Sequence, residues 1–218
     1  MRASPEGVAA YKFDNQGIVC RYRAMPLPLF AFSLSEAWSY LWLGFTHIVP
    51  HGYDHMLFVF GLFLSAPQWR PLLGQVTAFT VAHTLTLALA VLGLVSISSR
   101  VVEPLIALSI VWVGVENLRR RELGWGRLAV VFGFGLLHGL GFAGALTELG
   151  IGQATLVPAL LCFNLGVEAG QCSVLLLAFV ALGWARARPD FRPRVVVPGS
   201  ILIAAVAAWW TVQRAFGW

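Results

Sequence analysis

The chain has 218 residues, of which 58% are hydrophobic and only 11% carry a charge. Soluble domains contain about 25% charged residues, so this composition excludes a soluble globular protein and indicates an integral membrane protein. The formal net charge of +5 does not indicate nucleic-acid binding, because the arginines lie mostly in short segments between apolar stretches.

Six apolar stretches have about the length of roughly 20 residues that one helical crossing of a bilayer requires. They cover residues 37–64, 72–95, 101–118, 128–147, 156–183 and 196–214. The sequence therefore predicts an all-α fold, a polytopic transmembrane helical bundle of about six spans. We expect an extramembrane N-terminal tail over residues 1–35 and the transmembrane domain over residues 36–218.

The first apolar stretch is longer than one crossing and contains Pro50 and Gly52. Proline ends or kinks a helix because it has no backbone N–H, and glycine permits backbone conformations that other residues avoid. We therefore expect a short lead-in helix, a break, and a spanning helix that begins at about residue 51.

The arginines between the spans predict how the chain is oriented. Nine of them fall in the first, third and fifth loops, whereas the opposite loops hold only Arg100. The positive-inside rule then places these three loops in the cytoplasm and both termini outside a bacterial inner (cytoplasmic) membrane. Residues 1–30 lack the apolar core of a signal peptide, which favours the chain being the membrane part of a longer protein. The nine arginines are Arg70, Arg119, Arg120, Arg121, Arg127, Arg186, Arg188, Arg192 and Arg194.

All five histidines lie within or at the edge of an apolar stretch, and two acidic residues accompany them. Ionisable groups in hydrocarbon are energetically costly, so they usually face the interior of a helical bundle and mark a functional site. Asp54 adjoins one histidine, and Glu168 lies in the middle of the fifth stretch. The histidines are His47, His51, His55, His83 and His138.

Imidazoles and carboxylates gathered in one buried place favour a borderline divalent ion such as zinc, nickel or cobalt. Hard ions prefer cages made of oxygen atoms alone and fit this set less well. We therefore predict an intramembrane metal site on four spans. The predicted ligands are His51, Asp54, His55, His83, His138 and Glu168.

Other polar side chains are predicted to surround this site rather than to bind the ion. A ligating imidazole needs a partner for its second nitrogen, and hydroxyl and amide side chains on neighbouring helices supply one. His47 precedes the break, and we interpret it as a residue that packs or donates a hydrogen bond. The predicted surrounding residues are His47, Thr80, Thr84, Asn164 and Gln171.

Two further features have structural interpretations. Glu116 lies three and four residues before Arg119 and Arg120, a spacing that favours an ion pair on one helix. Five glycines flank His138 in the fourth stretch, and small residues let membrane helices approach closely. We therefore predict that this stretch packs tightly against a neighbour.

Several segments resemble the HupE/UreJ family of bacterial membrane proteins, in particular its second branch. The resemblance covers about residues 40–180 and extends over five spans. It implies a membrane protein associated with metal transport, and members of this branch often carry an extracytoplasmic domain ahead of the membrane part. The segments are GFTHI (44–48), GYDHMLF (52–58), FTVAHTLTL (79–87), VEPLIALS (102–109), EN (116–117), FGLLHGLGF (134–142) and FNLGVEAGQ (163–171).

The sequence also departs from the first branch of that family, whose members are regarded as nickel permeases. In that branch the first span resembles the pattern His-x5-Asp-His, in which five residues separate a histidine from an aspartate–histidine pair. Here six residues separate His47 from Asp54, His51 is an additional imidazole, and only His138 and Gly139 match the later histidine–glycine pattern. The resemblance therefore leaves the ion open among nickel, cobalt and zinc.

We interpret the chain as a transporter of a divalent transition metal, with the lipid bilayer and the ion as partners. Two alternatives stay open. One is an intramembrane zinc-dependent hydrolase in which Glu168 is the base for a zinc-bound water. The other is a non-catalytic membrane component whose buried polar network holds helices together. We assign no catalytic residue. An extracytoplasmic domain or a homo-oligomer is compatible with all three interpretations.

Overall fold

A computed structural model of the chain describes residues 32–65, 68–119, 125–148 and 155–217. Within these ranges every regular element is helical, which confirms the predicted all-α fold. The predicted N-terminal tail lies almost entirely outside the described residues, as do Arg120 and Arg121.

Seven α-helices make up the described part of the chain. Five of them, α3 to α7, are long and apolar enough to cross a membrane, whereas α1 and α2 are shorter. A single 3-10 turn, Gly183–Ala185, follows α6, and a π-helical turn, Arg192–Val196, leads into α7. The helices are α1 (Leu34–Ile48), α2 (Tyr53–Ser65), α3 (Trp69–Val91), α4 (Ser99–Leu118), α5 (Trp125–Glu148), α6 (Leu156–Leu182) and α7 (Val197–Phe216).

The predicted break separates α1 from α2 at residues 49–52. Val49 is extended, with φ −123° and ψ 117°, because the residue before a proline is disfavoured in the helical region. Each half is only about 20 Å long at 1.5 Å per residue, less than the roughly 30 Å of a hydrocarbon core. The two halves therefore form one interrupted span, and α3 to α7 bring the total to the predicted six.

Glycines set the spacing between the first span and α6. A Cβ atom on Gly44 would collide with the carbonyl of Phe163, and one on Gly166 would collide with the carbonyl of Leu41. Such close backbone approach replaces the hydrophobic effect as a driving force for association inside a bilayer. α1 is therefore held directly against α6.

The glycine-rich fourth stretch, now α5, packs against α3 as predicted. Gly135 lies against the backbone of Phe79, and Gly139 lies against the backbone of His83. Gly141 contacts α4 instead, through Ile106, whereas Gly133 has open space beside it. The packing thus depends on part of the glycine set, and it places His138 beside His83.

A buried arginine joins the helices at one end of the bundle. Arg127, in the first turn of α5, forms an ion pair with Glu116 of α4 at 2.8 Å, and their side chains are only 5% and 11% exposed. It also donates to Gln75 of α3 and to the hydroxyl of Ser65 at the end of α2. Glu116 thus has a partner on the next helix, whereas Arg120, one of its two predicted partners, lies outside the described residues.

Two further arginines cover helix ends on the same side. Arg186 donates to the Phe63 carbonyl near the end of α2, and Arg192 donates to the Asn117 carbonyl near the end of α4. Carbonyls in the last turn of a helix have no partner within the helix, so these cations satisfy them. We call this side of the bundle the arginine end.

The α1–α6 contact predicts the effect of a single added methyl group. Gly166→Ala should lower the free energy of unfolding by about 2 kcal/mol or more, because the new Cβ overlaps backbone that cannot move aside cheaply. Thermal unfolding of the purified protein in detergent measures the change. Gly133→Ala is the matched control and should be neutral, since nothing lies within 4 Å of its Cβ position. Equal melting temperatures for both variants would contradict the packing described above.

Candidate metal centre

Three histidines from three helices meet beside the break. His47 is in the last turn of α1, His55 in the first turn of α2 and His83 in α3. Each offers one ring nitrogen, and the three nitrogens lie within 4.8 Å of one another. The break makes this possible because it brings the end of one half-helix and the start of the next to the same place.

The histidine from α5 completes a group of four imidazoles. The ring centroids of His138 and His55 are 4.9 Å apart, and those of His55 and His47 are 4.8 Å apart. His83 is 5.9 Å from His55 by the same measure. We call His47, His55, His83 and His138 the histidine cluster.

The histidine cluster lies near the middle of the membrane. His55 is ten residues from Ser65, His83 is fourteen from Trp69, and His138 is thirteen from Trp125, all measured from the arginine end. At 1.5 Å per residue these separations are roughly 15–21 Å, which is about half to two thirds of the hydrocarbon thickness.

Aromatic side chains enclose the histidine cluster. The ring centroid of Phe142 is 4.1 Å from that of His47, and Phe79 is 4.9 Å from His138. Phe163 lies 5.7 Å from His47 and is fully buried. These rings surround much of the histidine cluster with apolar surface, so the polar atoms inside depend on each other or on a bound ion.

Hydrogen bonds orient two of the imidazoles. His83 Nδ1 is 3.2 Å from Asn164 Oδ1, and the amide orientation follows because Asn164 Nδ2 donates to the Leu160 carbonyl at 2.8 Å. His138 Nδ1 is 2.8 Å from the Phe134 carbonyl. Both partners accept only, so Nδ1 must carry the proton in each neutral ring, which leaves Nε2 as a free acceptor.

The same nitrogen is without a partner in all four rings. The Nε2 atoms of the histidine cluster are buried, and none has a hydrogen-bond partner among the described residues. Each buried polar atom left unsatisfied lowers the free energy of unfolding by about 1–3 kcal/mol. Four such nitrogens together are therefore destabilising unless a ligand binds to them. Neutral imidazoles presenting Nε2 form a suitable donor set for a borderline divalent ion.

The ring spacing fits such an ion after a small contraction. Two imidazole nitrogens at about 2.1 Å from a tetrahedral ion are about 3.4 Å apart. One ring nitrogen from each of His47, His55 and His83, which we call the triad, lies within 4.8 Å of the other two. Side-chain torsion changes of modest size are therefore enough to reach ligating geometry.

Both carboxylates predicted as ligands have other partners. Asp54 Oδ2 is 3.0 Å from Nη2 of Arg214, near the end of α7, while its Oδ1 is buried and without a partner among the described residues. Glu168 Oε1 accepts a hydrogen bond from the Thr77 hydroxyl at 2.6 Å. Neither carboxylate belongs to the triad.

His51 and His47 are placed differently from the sequence assignment. The side chain of His51 is exposed in the break, and its Nδ1 lies 3.2 Å from the Thr46 carbonyl. His47, assigned above to the surroundings, is one of the three clustered rings. Its position immediately before a helix break was the available signal, because the ends of discontinuous membrane helices commonly form binding sites.

The remaining surrounding residues link α3 to α6. Thr80 donates to Gln171 Oε1 at 3.0 Å, beside the Asn164–His83 bond between the same two helices. Thr84 donates to the carbonyl of Thr80 on its own helix. Asn164 therefore supports an imidazole directly, whereas Thr80 and Gln171 fix the two helices that carry the site.

One family model matches most of the chain. The family model described as HupE / UreJ protein matches residues 30–214. The chain belongs to the HupE/UreJ family. The HupE/UreJ match confirms the resemblance and includes the histidine cluster, Asp54 and Arg214. No curated protein and no solved structure gave a match.

The hydrogen bonds of His83 and His138 predict the position of the proton on each ring. In the metal-free protein both should be neutral with the proton on Nδ1, because each faces an acceptor at that atom. The ¹⁵N chemical shifts of selectively labelled histidine distinguish the two neutral forms. His51→Gln leaves the cluster intact and helps to assign the remaining signals. A proton on Nε2 of His83 or His138 would contradict the geometry.

Proposed function

We propose that this HupE/UreJ protein binds a divalent transition metal ion at the histidine cluster and carries it across the membrane. The supporting observation is the set of four buried Nε2 atoms, gathered from α1, α2, α3 and α5, that have no hydrogen-bond partner within the described part of the chain. The ion is the transported substrate, of the nickel, cobalt or zinc type. The family's association with nickel and cobalt transport favours the first two.

In this proposal the histidines and carboxylates of the site have different tasks. His47, His55, His83 and His138 bind the ion in the aromatic pocket, where neutral nitrogen donors suit borderline metals. His51 and Asp54 lie at the break and meet the ion first. Glu168, held by Thr77, is a carboxylate that an arriving or leaving ion can use.

The shape of the first span supports movement of the ion rather than permanent storage. Transporters commonly place a substrate site near mid-membrane, between half-helices that rock or unwind. The buried Arg127–Glu116 pair joins α4 to α5 at the arginine end, and in this proposal the ion reaches the site from the opposite side, past the break. We further propose that the arginine end is cytoplasmic, following the positive-inside rule.

The two alternatives receive less support from the geometry. A zinc hydrolase needs a carboxylate beside the metal to act as base, whereas neither Asp54 nor Glu168 belongs to the group formed by His47, His55 and His83. A purely structural polar network would satisfy its own donors and acceptors. The four unpartnered Nε2 atoms fit that description poorly.

The central substitution is His55→Ala. It removes the imidazole that belongs to the triad and also contacts the ring of His138. We expect cobalt affinity of the purified protein to fall by about 100-fold or more, since even supporting residues of a metal site contribute 10- to 100-fold. Uptake of radioactive cobalt into proteoliposomes should fall in parallel.

His51→Ala is the matched control, because it removes the same group four residues earlier at an exposed position. We expect it to change affinity at equilibrium by less than about threefold, a small fraction of the effect of losing a direct ligand. Equal losses for the two variants would place the site elsewhere, and unchanged uptake with His55→Ala would refute the proposal.

Acid should weaken binding at this site. A protonated imidazole cannot bind a metal ion, so binding releases protons whenever a ligand starts protonated. Burial disfavours the charged form of the four clustered imidazoles, so cobalt affinity should change little between about pH 7.5 and about pH 5.5 and should fall only in stronger acid. Isothermal titration in two buffers of different ionisation enthalpy measures both the affinity and the protons released. An affinity that rises on acidification would contradict binding by imidazoles.

A further inference from the structure

The pair formed by Asp54 and Arg214 lies where the broken span meets α7. Asp54 is in the first turn of α2, one residue before His55, and Arg214 is in the last turn of α7. The bond is single: Nη2 meets Oδ2 at 3.0 Å, while the other carboxylate oxygen is buried without a partner among the described residues. Half of this carboxylate is therefore unused.

Besides Asp54, Arg214 has two weak contacts, one with α4 and one within α7, so it is not locked in place. Its Nη1 donates to the Glu103 carbonyl at 3.4 Å, and its guanidinium lies 5.5 Å from the ring centroid of Trp210. The last turn of a helix carries partial negative charge, which also favours a cation there. About a quarter of each paired side chain is exposed, so water can reach the guanidinium if it leaves Asp54.

An ion arriving at the histidine cluster changes the electrostatics of this pair. The histidine cluster has no formal charge when its imidazoles are neutral. The anion nearest to one of the proposed ligands in the sequence is Asp54, which directly precedes His55. A divalent ion attracts a carboxylate more strongly than a guanidinium does at equal distance, because its charge is twice as large. The ion and Arg214 therefore compete for one carboxylate.

We propose that Arg214 is a built-in competitor for Asp54, which holds the carboxylate while the site is empty and releases it when the metal binds. The inference rests on the proposed function and adds a residue that sets affinity. An anionic oxygen added to the imidazole donors tightens binding of a divalent ion, so a competitor for that oxygen keeps the ion releasable. Return of Arg214 to Asp54 assists departure of the ion.

Equilibrium dialysis of the purified full-length chain with Co²⁺ tests the competition. Arg214→Gln should tighten cobalt binding about tenfold, because the competing charge is gone. Asp54→Asn should weaken binding, and the double variant should match Asp54→Asn because the gain requires the carboxylate. Arg194→Gln, the same substitution in an exposed turn, should leave affinity unchanged.

Two outcomes of this dialysis separate the inference from the proposed function. Cobalt binding by the wild type with no tightening in Arg214→Gln overturns the competition alone. Absence of cobalt binding to the wild type, or binding that survives His55→Ala, overturns the proposed function and the competition with it.

A second measurement on the wild-type protein needs no substitution and decides the matter if Arg214→Gln does not fold. Phenylglyoxal modifies guanidinium groups, and peptide mass spectrometry quantifies the modification of each arginine. Saturation with Co²⁺ should increase modification of Arg214 several-fold and leave Arg194 unchanged. Unchanged or reduced modification of Arg214 in the cobalt-loaded protein overturns the proposal.

Discussion

The structure depends on one constraint, which is that backbone inside a membrane must satisfy its own hydrogen bonds. Residues 49–52 interrupt the first span, and two of their amides are satisfied locally, because Val49 donates to the Phe45 carbonyl and Gly52 donates to the Ile48 carbonyl. Glycines fix α1 against α6 and α5 against α3, so the helices that carry the site are closely packed. The same interruption brings His47 and His55 together, so the packing and the site have a common origin.

The charged residues on the two sides of the histidine cluster differ in burial and in the number of their hydrogen bonds. At the arginine end, Arg127 is buried and fully engaged with α2, α3 and α4, which favours a rigid closure. At the opposite end, Arg214 and Asp54 share a single bond and remain partly exposed, which favours exchange. This asymmetry fits a site that is reached from one side while the other stays closed.

Much of this was predictable from the sequence because composition and periodicity determine where apolar helices run. The all-α fold, the break at Pro50 and the packing role of glycines such as Gly135 follow from residue chemistry alone. The partners of charged residues did not follow, because they depend on which helices become neighbours. Glu116 pairs with Arg127 of the next helix. The sequence assigned His47 to the surroundings because it precedes the break, and it could not show that the break brings this ring beside His55 while His51 stays exposed.

X-ray absorption at the zinc edge of the Zn²⁺-loaded protein tests the central claim most directly. Zinc serves as a probe because its nitrogen ligands in proteins lie at about 2.0–2.1 Å. The account predicts a first shell at that distance with the outer-shell scattering of at least three imidazoles, lost in His55→Ala. A first shell made of oxygen alone, or a spectrum that His55→Ala leaves unchanged, would contradict it.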